Sequence, residues 1–265
     1  MTTISILGCG WLGLHLAPVF QQQGMQVKGS TTSKEKITVL AERNITPFLL
    51  RFPATDAIPL SDFLRCDVLI IAIPPKARQG MGNEYLQTIT QIADALQQYQ
   101  VSQVILISST SVYGKVNGTV TEQTTPMPDT ISGHIMLEAE TLLRNCNGFT
   151  TTVIRFAGLT GPGRHPGHFL AGKQQVADGL APVNLIHAAD CAGICLAILQ
   201  KQAFGYTYNA CSPCHPTKQD FYTRAAIDGG FEPPTFVQEG SDGKLVTSLY
   251  LNKVLDYRFI KENCF

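Results

Sequence analysis

The chain has 265 residues, 44% of them hydrophobic, which suffices for one large core or a core with a small lobe. Lysine and arginine (20) balance aspartate and glutamate (20), so there is no net field to gather a polyanion such as nucleic acid. The longest apolar runs, such as Val68 to Ile73, fall far short of the roughly 20 residues of a bilayer-spanning helix, and the N-terminus enters a strand pattern directly. No membrane span or signal peptide is expected, and the expected setting is cytoplasmic.

Ile4 to Leu7 reads as a strand, followed by a glycine-rich turn and an apolar-periodic helix to Gln23, with Gly24 as its stop. Pro18 inside that helix forfeits a hydrogen bond and predicts a kink. Gln26 to Ser30 is the second strand, Lys34 to Glu42 the next helix, and Phe48 to Phe52 a third strand. Val68 to Ile73 is continuously apolar, as a central parallel strand covered on both faces must be. Tyr85, Ile89, Ile92 and Leu96 recur at helical spacing, and Val104 to Ile107 forms a fifth strand. Further on come a strand at Thr151 to Phe156, a helix at Ala188 to Gln200, a strand-like Tyr206 to Asn209 and a helical stretch around Gln219 to Ile227. The alternation predicts an α/β fold: a Rossmann-type doubly wound parallel sheet with a small C-terminal substrate lobe over the sheet's carboxyl edge. The expected division is 1–160 and 183–204 for the sheet domain, and 161–182 and 205–265 for the lobe.

Gly8-Cys9-Gly10-Trp11-Leu12-Gly13 follows a strand, opens a helix and lies within a strand-helix-strand unit, the context that makes G-x-G-x-x-G a dinucleotide signal. Gly8 permits the tight turn, Gly10 lets the backbone approach a pyrophosphate, and Gly13 lets helix and strand pack closely. Trp11, Leu12 and, at the end of the fourth strand, Ile73 and Pro74 are placed with the cofactor. An NAD binder carries Asp or Glu at the end of the second strand to take the ribose hydroxyls. Here stand Ser30-Thr31-Thr32-Ser33-Lys34, four hydroxyls and a cation, which suit a 2′-phosphate; NADP is therefore expected over NAD. Ser33 has a plainer use as the cap of the following helix.

The eight cysteines are too sparse for a disulfide scaffold and are expected as reduced thiols. Cys211-Ser-Pro-Cys214-His215 has the spacing of a haem-attachment or redox motif, but that haem chemistry belongs to an exported compartment. Joining the pair to Cys191 and Cys195 matches no standard zinc module, so no metal is expected.

Ile107-Ser-Ser-Thr-Ser-Val-Tyr-Gly114, Leu137-Glu-Ala-Glu140, Ile154-Arg-Phe-Ala-Gly-Leu-Thr-Gly-Pro-Gly-Arg164, Asn184-Leu-Ile-His187 and Tyr208-Asn209 occur in the order of the extended short-chain dehydrogenase/reductases, the NAD(P)-dependent epimerase/dehydratase family. The chain resembles that family over nearly its whole length. The resemblance implies a nicotinamide-binding Rossmann domain, a C-terminal substrate lobe, and the catalytic Ser/Thr at Ser109. It departs from the family at the catalytic Tyr and, four residues later, Lys, which fall on Ser132 and Met136. The chemistry needs a cation beside a Tyr to lower its pKa from about 10 toward neutrality. A Ser beside a Met cannot supply that. His134, two residues on, is rotated by about 200° from Ser132 and reads as a surface residue or a relocated acid/base. Tyr113 is a spare phenol, although the family uses that position for packing and the substrate wall.

Gly161 to His168, with Arg164, His165 and His168, then Lys173 on a short helix expected to start near His168, combines backbone amides and cations suited to a phosphate or carboxylate. Asn184 is expected to line the same cleft. The plainer reading is a solvated turn. A small-molecule ligand, anionic or nucleotide-linked, is the expected partner, with a homodimer left open. Two functions compete: an NADP(H)-dependent oxidoreductase or epimerase/dehydratase-like enzyme with an unorthodox acid/base, and a non-catalytic NADP(H)-binding sensor. A protein that binds no nucleotide would require the glycine turn to be vestigial.

Overall fold

The computed structural model describes residues 1–52, 57–76, 79–237, 240 and 243–261. Its main sheet is built from β1 (Thr3–Leu7), β2 (Gln26–Thr31), β3 (Thr46–Leu49), β4 (Val68–Ile71), β5 (Gln103–Ser109), β7 (Thr150–Phe156) and β10 (Thr207–Ala210). These seven strands run in the order β10-β7-β5-β4-β1-β2-β3, and every pair is parallel. Each crossover carries helix or irregular chain over a face, so the central strands lose water on both sides. β4 is accordingly buried at all four residues. The helices are α1 (Trp11–Gln22), α2 (Glu35–Glu42), α3 (Ala57–Leu64), α4 (Gly82–Gln98), α5 (Ile131–Asn145) and α6 (Ala188–Lys201). α1 packs on α6 and α4 on α5.

The sheet reverses its winding between β1 and β4, and the crevice outside the carboxyl ends of those two strands is where such folds take ligands. The smaller C-terminal region closes beside it, with β6 (Gly118–Val120) paired in parallel to β11 (Lys244–Val246) and β8 (Gly158–Thr160) to β9 (Leu185–His187). α7 (Lys218–Asp228) belongs to it, and the short α8 (Tyr250–Lys253) packs against β10 of the main sheet. A separate small cluster of Val183, Leu185, Phe221 and Ala225 forms its core.

Three particulars differ from the sequence reading. Thr207–Ala210, grouped there with the lobe, pairs with β7 as an edge strand of the main sheet. The third strand lies earlier, at Thr46–Leu49; it holds Pro47, which an edge strand tolerates because one side of its ladder is unpaired. No helix starts at His168. Pro166–Phe169 is a single 3-10 turn and Lys173 follows in irregular chain, because a Cβ at Gly167 would run into the Ala225 carbonyl, so packing on α7 sets this segment. α1 is continuous through Pro18, which lies on its exposed face.

Candidate functional site: a cleft at the glycine turn

A cleft of about 590 Å³ opens at the switch point. Its floor is the turn between β1 and α1. Gly8 has φ +87°, and a Cβ there would stand 2.6 Å from Ile73 Cγ2; only glycine lets the turn meet the end of β4. At Gly13 a Cβ would press on Ile6 Cγ2 at 3.1 Å and Cys9 Sγ at 3.2 Å, where helix and strand pack closely. Gly10 is different: a Cβ there meets nothing within 4 Å and would project into open space. No side chain caps the N-terminus of α1 and its first turn holds no acid, so its amides face the cleft with the helix dipole behind them. Cys9 packs beneath, its thiol pushed up to about 11 by burial. Ser30 is committed to the turn itself, its Oγ accepting from Gly8 N at 2.9 Å and its carbonyl from Cys9 N at 2.8 Å.

At the outer end the lining is Thr31, Thr32, Lys36, Leu50 and Phe52. Thr31 Oγ1 accepts from Ser33 N at 3.1 Å, and Arg51 Nε donates to the Thr32 carbonyl at 3.0 Å. Glu35 does not line the cleft; Ser33 Oγ donates to its carboxylate, and that hydrogen bond holds the carboxyl below its ordinary range. Lys34 is the residue before α2 and is exposed away from the lining, whereas Lys36, two positions on and about 200° around the helix, reaches it. Among the described residues, the lining's carboxylate is Glu84, on the far wall.

The inner end is formed by Ala72 to Lys76 after β4, Glu84, Tyr85 and Thr88 of α4, Ile107 to Ser109 of β5, and Ser132 and Met136 of α5. Ser109 Oγ accepts from Ser111 N at 3.1 Å, which leaves its proton to donate. Tyr85 is a buried wall whose Oη has no hydrogen-bond partner among the described residues, and burial raises its pKa, so it stays neutral. Ser132 and Met136 sit side by side on the cleft wall one helical turn apart; His134 is exposed on the other side of α5 and does not line the cleft.

Tyr113 is also absent from the lining. Fully buried, it receives Arg155 Nη1 at 2.8 Å and donates to Asn209 Oδ1 at 2.7 Å, and burial raises its pKa despite the Arg155 charge. Its phenol is spent on a network that continues through Arg155 Nη2 to Glu140 at 2.6 Å and Ser108 Oγ to Glu140 at 2.5 Å.

The Gly/Pro loop divides. Arg164 lines the cleft, but His165 and His168 pack against Phe231 with tilted rings, their centroids 5.8 Å and 4.0 Å away. Lys173 is exposed outside the lining. Asn184 holds β11 in place, donating to the Lys244 carbonyl at 2.7 Å and accepting from Val246 N at 2.8 Å. These four residues are not gathered around one ligand.

Lys36, Lys76, Glu84, Tyr85 and Thr88 line the cleft without having been singled out in the sequence. For Tyr85 and Thr88 the helical periodicity was the available signal, but it marks a buried face without telling core from cleft. Cys9, Cys66, Cys146, Cys191, Cys195 and Cys211 are free thiols; Cys214 is disulfide-bonded, which corrects the expectation of reduced thiols throughout. Among the described residues no three His, Cys, Asp or Glu gather as a metal site, and no helix is long and apolar enough to cross a membrane.

Protein YeeZ of Escherichia coli K12 is 39% identical over 248 residues, covering 92% of this chain and 90% of the relative. Among solved structures, the UDP-glucuronic acid 4-epimerase of Bacillus cereus in complex with NAD superposes with a TM-score of 0.77 at 19% identity, over 98% of this chain and 94% of that one. The UDP-glucose 4-epimerase of Thermotoga maritima with UDP-glucose gives 0.79 at 15%, over 96% and 93%. Those two likenesses establish the fold. The family described as NAD(P)H-binding matches residues 8–202, a span that starts at the first glycine of the turn and ends at α6. With that match and a relative alike over nearly its full length, the chain belongs to the NAD(P)H-binding family.

Proposed function

We propose that the protein is an NADP(H)-dependent oxidoreductase or epimerase/dehydratase-like enzyme acting on a small anionic or nucleotide-linked molecule. The observation that carries the cofactor choice is the outer end of the cleft, where Thr31, Thr32 and Lys36 stand and no carboxylate lines the wall among the described residues. An acid there would take the ribose hydroxyls of NAD and repel a 2′-phosphate; a lysine with threonine hydroxyls does the reverse. Arg51, tied to the Thr32 carbonyl, adds a second cation nearby. When bound, the nicotinamide would supply hydride transfer. The chain's own residues position and polarise: Ser109, its oxygen already accepting from Ser111 N, has its proton left for a substrate oxygen. A nucleotide-linked substrate suits one of the fold's neighbours, the Thermotoga maritima UDP-glucose 4-epimerase, whose structure holds UDP-glucose.

The second reading, a non-catalytic NADP(H) sensor, is supported by Ser132 and Met136, which line the cleft and onto which the sequence resemblance maps a catalytic Tyr and Lys. Hydride transfer against a panel of carbonyls and sugar nucleotides separates the two: turnover supports the enzyme, and binding without turnover across the panel supports the sensor. The cofactor assignment predicts NADPH binding at least about tenfold tighter than NADH, a difference of roughly 1.4 kcal/mol, by calorimetric titration. Lys36→Glu should erase or invert that preference. Equal curves for the two nucleotides in the unmodified protein would refute the assignment.

A further inference from the structure

The turn that binds the lobe to the sheet is seated on the dinucleotide turn itself. Trp11, the first residue of α1, donates through Nε1 to the Pro162 carbonyl at 2.7 Å. Residues 161–164 close on themselves, Arg164 N donating to the Gly161 carbonyl at 2.8 Å. Gly163 has φ +74°, in the left-handed region that favours glycine, and this sharp reversal presents Arg164 back toward the cleft. The Arg164 guanidinium then lies over the Trp11 indole, 4.2 Å from its centroid. It makes no hydrogen bond or ion pair to protein among the described residues. A guanidinium that rests on an indole ring and not on a hydrogen-bond acceptor keeps its five N–H donors for a phosphate. Among the described residues the lining cations are Lys36, Lys76 and Arg164, and of these Arg164 is the one anchored on a residue of the glycine turn.

We propose that Arg164 is a cofactor clamp: its guanidinium pairs with the diphosphate held at the N-terminus of α1, so that Trp11, the 161–164 turn and the dinucleotide form one clasp between sheet and lobe. This rests on the reading of the cleft as a dinucleotide site. The charge balance supports it, because the turn from Gly8 to Gly13 offers amides and a helix dipole but no cation for two phosphate charges. The fork of Arg164 supplies that charge from outside the turn. It also turns the loop's arginine toward the cofactor and away from the substrate role its neighbours His165 and His168 would have shared.

Trp11 is the chain's only tryptophan, so its fluorescence reports on the clasp directly. NADP⁺ would be titrated into the full-length protein and into Arg164→Gln, which keeps length and hydrogen bonding but removes charge, at several salt concentrations. The expected result is NADP⁺ affinity about tenfold or more weaker in Arg164→Gln, a flatter dependence on salt, and loss of the Trp11 emission change seen on binding to the unmodified protein. Arg164→Lys should recover part of the affinity. Unchanged affinity in Arg164→Gln overturns the clamp, and so does weakened affinity with an unchanged salt dependence, since Arg164 would then act by packing on Trp11. An unmodified protein that binds neither NADP⁺ nor NAD⁺ overturns the dinucleotide reading itself, a result distinct from either.

Discussion

A Cβ at Gly10 would point into open cleft, whereas one at Gly8 would stand 2.6 Å from Ile73 Cγ2 on a backbone with φ +87°. The two glycines therefore separate fold from function. Gly10 has a negative φ of −86° and an empty Cβ position, so Gly10→Val should melt closer to the unmodified protein than Gly8→Ala while losing nucleotide binding by at least about a hundredfold, since a branched side chain fills the space a pyrophosphate needs. Gly8→Ala should instead lower stability by roughly 1–3 kcal/mol or more, through strain and overlap. Parallel thermal melts and NADPH titrations check both; full binding by Gly10→Val would make the turn structural only. The tight turn at Gly8 and the close packing at Gly13 were legible because they follow from backbone geometry that the motif encodes. The cation was not: Lys34 stands before α2 and outside the lining, and Lys36, in the first turn of α2, is the lysine that lines the cleft.

α5, where the sequence resemblance puts a Tyr and a Lys at Ser132 and Met136, is an ordinary amphipathic helix, capped by Thr130, whose Oγ1 accepts from Gly133 N at 3.1 Å. Ser132 and Met136 face the cleft from it, and neither ionises near neutral pH. If the protein turns over a substrate, Ser132→Ala should therefore leave most of the rate, while Ser109→Ala should cost about 10²–10³ in kcat by removing a donor aimed at a substrate oxygen. A Ser132→Ala variant that binds NADPH normally but loses turnover would move the acid to Ser132. The position of this helix was readable from the Leu-Glu-Ala-Glu run, as was the apolar run of β4. The segment after Gly161 was not, because its conformation is imposed by contacts with α7 and Phe231 that lie about 60 residues away. Periodicity within 161–173 holds no record of them.

At the scale of the molecule, the parallel sheet followed from alternation, but the closure of the smaller region depends on single polar bonds between distant residues. Lys244 Nζ donates to the Thr110 and Gly114 carbonyls at 2.9 Å, and Glu122 accepts from Asn209 N at 2.9 Å and Leu249 N at 2.8 Å. Two histidines sit on this seam, and they give it a pH dependence. His187 caps α6, its Nδ1 accepting from Ala189 N at 3.1 Å, and His215 Nδ1 meets the Val183 carbonyl at 3.1 Å. Burial lowers both below the ordinary 6.5; at His187 the Asp190 carboxylate opposes the shift, while Lys261 and His15 add to it. A base whose folded pKa is depressed takes its proton first in the unfolded chain. The corresponding stability is therefore complete above about 6.5 and is lost as pH falls through the folded values. Protonation of His187 also removes the lone pair that caps α6, a contact of about 1 kcal/mol. The melting temperature should thus fall as the pH drops below about 6.5, and that of His187→Asn, which can still cap the helix without titrating, should fall less over the same descent. Identical pH profiles for the two proteins would remove His187 from the account, and a melting temperature that rises on acidification would reverse its sign.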